Sequence, residues 1–409
     1  MTRTERTYYG VFSLYCLSWS FLAPVYPLFL LSRGLDLFQI NLVLAIYLIT
    51  AFVFEVPTGA LADVLGRKTA FLLSCGVRMG AFGLYAFARG FTDCAIAEFF
   101  DAIGTTLATG ALDAWAVDGM QAEGDRQMTD HFFARAQMIS RPLMIVSGLV
   151  AGYVADRNIT WPWFIAAGGF ALTGVVAALS MRESAHLRAP AAAPRRSMRG
   201  TIRDGLATVR ATPALTLLCV LTLVGAFGIM PVHMLWQPRF QHLTGQGAWL
   251  MGWIWALLNL ATIAGSALVT RLLNRYSREV ALGIASLWRG LTLAIAALAT
   301  SFTPALLGFL LMEIGFGVSE PMLQAWMNEH VAAEQRATVL SVRAMFFTLG
   351  GGVGLVCIGL VARAAGIPAA WLVSATLLVL AAPGYMIIGR RTRLTTPAVV
   401  APKPLPLGS

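Results

Sequence analysis

Gly59-Ala60-Leu61-Ala62-Asp63-Val64-Leu65-Gly66-Arg67-Lys68 joins two long apolar runs through a very short polar turn. Gly59 and Ala62 are small enough for a neighbouring helix to approach closely. Asp63 ends the first run and Gly66 permits a sharp reversal. Arg67 and Lys68 then fall where lipid headgroups would lie. Reading backwards, the first run includes Phe54-Glu55-Val56-Pro57-Thr58; reading forwards, the second begins at Thr69.

The same alternation continues along the chain. Hydrophobic residues make up 57% of the 409 positions and charged residues only 12%, about half the charge of a soluble domain. Apolar runs near membrane-spanning length recur throughout, which predicts an all-α, multi-pass membrane protein. The first run, from Tyr8 to Leu31, is too long for a signal-peptide core and has no small-x-small cleavage site, so it counts as a membrane helix. The expected spans are 8–31, 37–61, 69–89, 93–119, 133–154, 162–182, 213–238, 247–271, 279–300, 304–330, 337–363 and 369–390.

Twelve spans put both termini on one side. The loops on that side hold Arg3, Arg6, Arg67, Lys68, Arg271, Arg275, Arg278 and an Arg-rich stretch at 182–210, whereas the other side holds Arg33, Arg89, Arg157, Arg239 and Arg363. The asymmetry predicts cytoplasmic termini in a plasma (inner) membrane. It also accounts for the net charge of +10 without nucleic acid. Five scattered cysteines, Cys16, Cys75, Cys94, Cys219 and Cys357, point to neither a metal site nor a disulfide framework.

The two halves repeat one another. Pro24-Val25-Tyr26 matches Pro231-Val232-His233, and Arg78 matches Arg289. Ile103-Gly104 matches Ile314-Gly315, and at the same offset Ala114-Trp115 matches Ala325-Trp326. With six helices per half, the repeats are parallel and related by an axis along the membrane normal. The expected division is a bundle at 1–181, a cytoplasmic linker at 182–212, a second bundle at 213–392 and a disordered tail at 393–409.

The spacing Gly-x-Leu-x-Asp-x-x-Gly-Arg-Lys at 59–68, together with this architecture, resembles the major facilitator superfamily. Glu55-Val56-Pro57-Thr58-Gly59 looks most like its drug–proton antiporter branch. The resemblance implies a latch between Asp63 and Arg67, with Asp118 as acidic partner, steadying one conformational state. It also implies that helices 1, 4, 7 and 10 line a central cavity. The sequence departs from the branch in places: helix 1 has no acid, helix 4 has Phe100-Asp101 where related exporters carry an Arg, and helix 5 has no Gly-Pro element. The turn after helix 8 has no counterpart of Asp63.

Ionisable groups within membrane helices are costly and are either paired or functional. Helix 4 carries Glu98, Asp101, Asp113 and Asp118; helix 10 carries Glu313, Glu320 and Glu329. Arg78 with Asp101, and Arg289 with Glu313, are expected to form structural ion pairs. Glu313, Glu320 and Gln324 share one helical stripe, and Asp113 is the repeat equivalent of Gln324. Glu320, with Arg343 its only nearby candidate, is the first choice for a proton-coupling acid, and Asp113 the second. Tyr26, His233, Trp236 and Gln324 are candidate cavity residues, within a wider aromatic and Met set that suits amphipathic molecules.

No phosphate-binding Gly-x4-Gly-Lys-Ser/Thr loop, His-Glu-x-x-His or nucleophile elbow is present. The expectation is a non-enzymatic secondary transporter that uses a gradient rather than ATP and needs no cofactor or metal. Its partners are then a small molecule, protons and the bilayer, and the favoured activity is proton-coupled efflux of an amphipathic compound. Uptake of a small polar solute stays open, as does a transporter-like sensor or lipid-handling role.

Overall fold

The computed structural model describes residues 2–122, 130–182, 206–207, 209–331 and 333–395. They form α1 (Arg3–Ser20), α2 (Tyr26–Ser32), α3 (Leu37–Leu65), α4 (Arg67–Phe87), α5 (Phe91–Ala122), α6 (Asp130–Arg157) and α7 (Trp161–Ser180) in the first half. The second half has α8 (Pro213–Thr244), α9 (Ala248–Leu273), α10 (Arg278–Leu298), α11 (Phe302–His330) and α12 (Ala333–Thr395). α1 and α2 make one crossing in two pieces, and α12 makes two crossings, so the described residues make twelve crossings. Most of the expected linker, 183–205, and the tail from 396 lie outside the described residues. The helix extends to Thr395, past the expected start of the tail at 393.

Local chemistry sets the helix ends. Thr2 and Glu5 form a capping box at α1, and Asp36 and Gln39 form another at α3. Gly66, at φ 92°, makes the reversal between α3 and α4 that a side chain would strain. Gly366, at φ 84°, divides α12 into limbs 333–365 and 367–395. The first crossing breaks at 21–25, next to Pro24 and Pro27, where the sequence predicted one continuous helix.

One close contact recurs in both halves. A Cβ on Gly104 would stand 2.5 Å from Cγ of Arg78, and one on Gly315 would stand 2.6 Å from Cγ of Arg289. Each glycine lets the stem of a buried arginine on the preceding helix lie against α5 or α11.

Burial shows how the halves meet. One apolar cluster joins them away from the termini and includes Val43, Trp163, Leu235 and Leu355. Towards the termini the core splits in two: Tyr8, Phe71 and Trp115 belong to one cluster, and Leu218, Trp326 and Ile388 to another. At the far end α6 packs on α9 and α3 on the first limb of α12. A Cβ on Gly152 would lie 2.9 Å from the Ala248 carbonyl oxygen, and one on Gly252 2.8 Å from that of Gly148. Arg363 adds an ion pair to Asp36 at 3.2 Å, and Gln237 donates to the Ala23 carbonyl at 3.0 Å. The halves are thus closed on each other at the far side.

Candidate functional site

A chamber of about 600 Å³ lies below that closure. Its wall mixes aromatic with polar and charged side chains and comes mostly from α1, α2, α4 and α5, with His233, Met234 and Gln237 contributed by α8. Arg78 is buried in it. Its Nε donates to Asp101 Oδ1 at 2.7 Å, and its Nη1 donates to the Tyr15 hydroxyl at 2.7 Å. The guanidinium also lies 4.4 Å from the Phe170 ring centroid. Asp101→Asn should therefore leave a buried guanidinium without its counter-charge and cost about 3–5 kcal/mol. Thermal unfolding of the purified variant measures this.

One helical turn from Asp101 on the same face of α5 stands Glu98, 5% exposed and also lining the chamber. The Tyr85 hydroxyl donates to its Oε2, and the Tyr26 hydroxyl lies 3.2 Å from that of Tyr85. The Tyr85 ring stacks on Trp163 with centroids 4.0 Å apart. Among the described residues no arginine, lysine or histidine pairs with Glu98. Near the opposite end of the chamber, Asp113 accepts a hydrogen bond from the Tyr8 hydroxyl at 2.7 Å. Across the chamber, His233 Nε2 lies 2.8 Å from Glu313 Oε1, and Thr262 donates to Glu313 Oε2 at 3.3 Å.

A cavity between two helical bundles that are closed at one end fits a solute carrier, and comparison with known proteins decides the family. The profile described as Major Facilitator Superfamily matches residues 9–287 and 250–407. The chain belongs to the major facilitator superfamily. Membership makes it a multi-pass membrane transporter. It is 20% identical over 391 residues to YxaM of Bacillus subtilis (strain 168), described as an uncharacterized MFS-type transporter, covering 93% of this chain and 95% of that protein. Its fold is similar to that of the nucleoside transporter NupG, with TM-score 0.78, 14% identity and coverage of 95% of this chain and 100% of that one. A bacterial homolog of the human lysosomal transporter Spinster, in an inward-facing unoccupied conformation, gives TM-score 0.74 at 15% identity, covering 95% of this chain and 96% of that one.

Within this superfamily fold, several expected partners differ. Arg289 does not pair with Glu313. Glu313 is taken by His233 from α8 and Thr262 from α9, while the Arg289 guanidinium lies 5.3 Å from the Phe316 ring centroid and its Nε has no hydrogen-bond partner. Glu320 lies outside the chamber wall and accepts from Arg343 Nη2 at 3.2 Å through both oxygens, so it is not an acid without a fixed cation. Gln324 donates to Glu320 rather than lining the chamber. Trp236 is 2% exposed and packs in the far-side core near Phe240. Tyr26, His233 and Asp113 do line the chamber.

At the superfamily loop, Arg67 Nη2 meets Asp63 Oδ1 at 2.9 Å. Asp118 makes no ion pair among the described residues, and the Arg67 charge acts on it from further away. Lys68 does something the sequence did not suggest. Its Nζ donates to the carbonyls of Ala178 and Met181, each at 2.7 Å, and so caps the end of α7 with a cation.

Proposed function

We propose that this superfamily member is a proton-coupled secondary transporter of small amphipathic molecules, binding them in the chamber and moving them by alternating access. The chamber itself carries the proposal: its aromatic side chains can hold an apolar body, while Glu98 and Asp113 place carboxyl groups in its wall and His233 is hydrogen-bonded to Glu313 across it. The split core towards the termini supports reading this as the state open on that side, and the distribution of basic residues supports placing that side in the cytoplasm. Export is the favoured direction, from the resemblance of residues 55–68 to the antiporter branch. The test is solute flux in proteoliposomes of known orientation under an imposed pH gradient. Accumulation on the proton-rich side supports antiport, and flux indifferent to the gradient rejects proton coupling.

In the other state, closed towards the termini, the loop of α3 and α4 would meet the second half. Asp63 and Arg67 are both partly exposed here, so their pair adds little to folding. Its role is to bias the two-state equilibrium. Asp63→Asn should lower turnover severalfold with little change in substrate affinity or melting temperature. Equal turnover at equal protein level would remove the latch.

A further inference from the structure

Resting on the transport activity proposed above, we infer that the substrate is an organic amine whose ammonium group is held at Glu98 beside Tyr26 and Trp163 in the chamber wall, with Tyr85 behind them. The charges facing the chamber favour a cation. Arg78 is already matched by Asp101, and His233 is hydrogen-bonded to Glu313. The remaining lining acids, Glu98 and Asp113, are held by phenol hydroxyls, which supply hydrogen bonds but no positive charge. An ammonium would therefore gain a counter-ion at Glu98, whereas a carboxylate or phosphate would meet two acids and no free cation.

The neighbours of Glu98 add selectivity. Tyr26 and Trp163 lie with ring centroids 5.9 Å apart, and Tyr85 stacks on Trp163. Electron-rich ring faces beside a carboxylate attract an alkylammonium by both charge and quadrupole. Gln237, which lines the chamber and is 2% exposed, leaves its Oε1 without a hydrogen-bond partner. That buried acceptor requires a donor such as N–H. Trp163 Nε1 is likewise buried and unpaired, and it offers one donor, which suits a hydroxyl or ether oxygen on the same molecule.

The acids also form a route. Asp113 and Glu98 lie about 22 Å apart along α5, with Asp113 towards the termini. An amine entering from that side meets Asp113 first and Glu98 at the closed end. Binding there displaces a proton from the Glu98 carboxyl to water, so one substrate cation replaces one proton on the same group.

Three matched probes test the assignment on the full chain in lipid nanodiscs: phenylbutylamine, phenylbutanol and phenylbutyrate, with affinity read by calorimetry. The amine should bind at least tenfold more tightly than the alcohol, with the acid weakest, and Glu98→Gln should remove the preference of the amine over the alcohol. The comparison on the unaltered protein decides even if that variant folds poorly. Binding of the alcohol as tight as that of the amine, tighter binding of the acid, or a preference that survives in a folded Glu98→Gln protein overturns the inference. An acid-selective chamber would leave proton-coupled transport standing, because that activity is tested by flux under a pH gradient and not by binding.

Discussion

Glu98→Gln should reduce proton-driven accumulation to the level of empty vesicles while the protein still folds and still equilibrates solute slowly down its own gradient. A glutamine keeps the size of the side chain and can accept the Tyr85 hydrogen bond, but it cannot bind or release a proton. Because Glu98 has no cationic partner among the described residues, the change strands no buried charge. Glu320→Gln should behave differently. It removes the partner of Arg343, whose side chain is only 11% exposed, so stability falls while gradient-driven flux persists. Measuring flux and melting temperature for both variants separates the two acids. Coupling lost at Glu320 and kept at Glu98 would reverse their roles.

Gly252→Leu should hold the far side open and stop transport with the fold intact. Here α6 and α9 approach backbone to backbone: a Cβ on Gly252 would stand 3.2 Å from Cα of Leu149 as well as close to the Gly148 carbonyl. Overpacking a contact of this kind costs about 1–3 kcal/mol. Charged to one state alone, that shifts a two-state equilibrium by roughly 5–150-fold. Spin labels at positions 158 and 246, on the far-side ends of the two halves, should report a longer distance in the variant. An unchanged distance with normal flux would mean that this glycine contact does not control closure.

The outcome divides between what helices dictate locally and what only packing decides. Length and polarity of the runs were enough for the twelve crossings, because every membrane helix must satisfy its own backbone and so declares itself by apolar length. Gly66 and its neighbours were legible for the same reason: a tight polar turn needs a residue tolerant of positive φ. The split of the first crossing at 21–25 was less visible, since Pro24 and Pro27 can sit in a bent helix as well as in a broken one.

Partner choice was the harder part. Arg78 and Asp101 face each other on adjacent helices, and the register places them together. Arg289 is the repeat equivalent of Arg78 and Glu313 lies one position from that of Asp101, yet His233 approaches from α8, a helix remote in sequence, and takes Glu313. For Glu320 the sequence offers Arg343 as its only nearby candidate, and packing of the first limb of α12 brings the two together. Glu98 lies one turn from Asp101 on the same helix. Its spacing alone put it on the chamber face, but only packing decides that a phenol, Tyr85, and no cation among the described residues, partners it.

The central claim, that this chamber couples solute movement to protons, is tested most directly by a pH-sensitive dye sealed inside proteoliposomes. Membrane-impermeant amphipathic cations, zwitterions, anions and neutral solutes would be added in turn, with no gradient imposed. The prediction is that at least one class drives a proton flux opposite to its own movement, and that Glu98→Gln abolishes the proton signal. Solute entering the vesicles with no accompanying proton movement would contradict it.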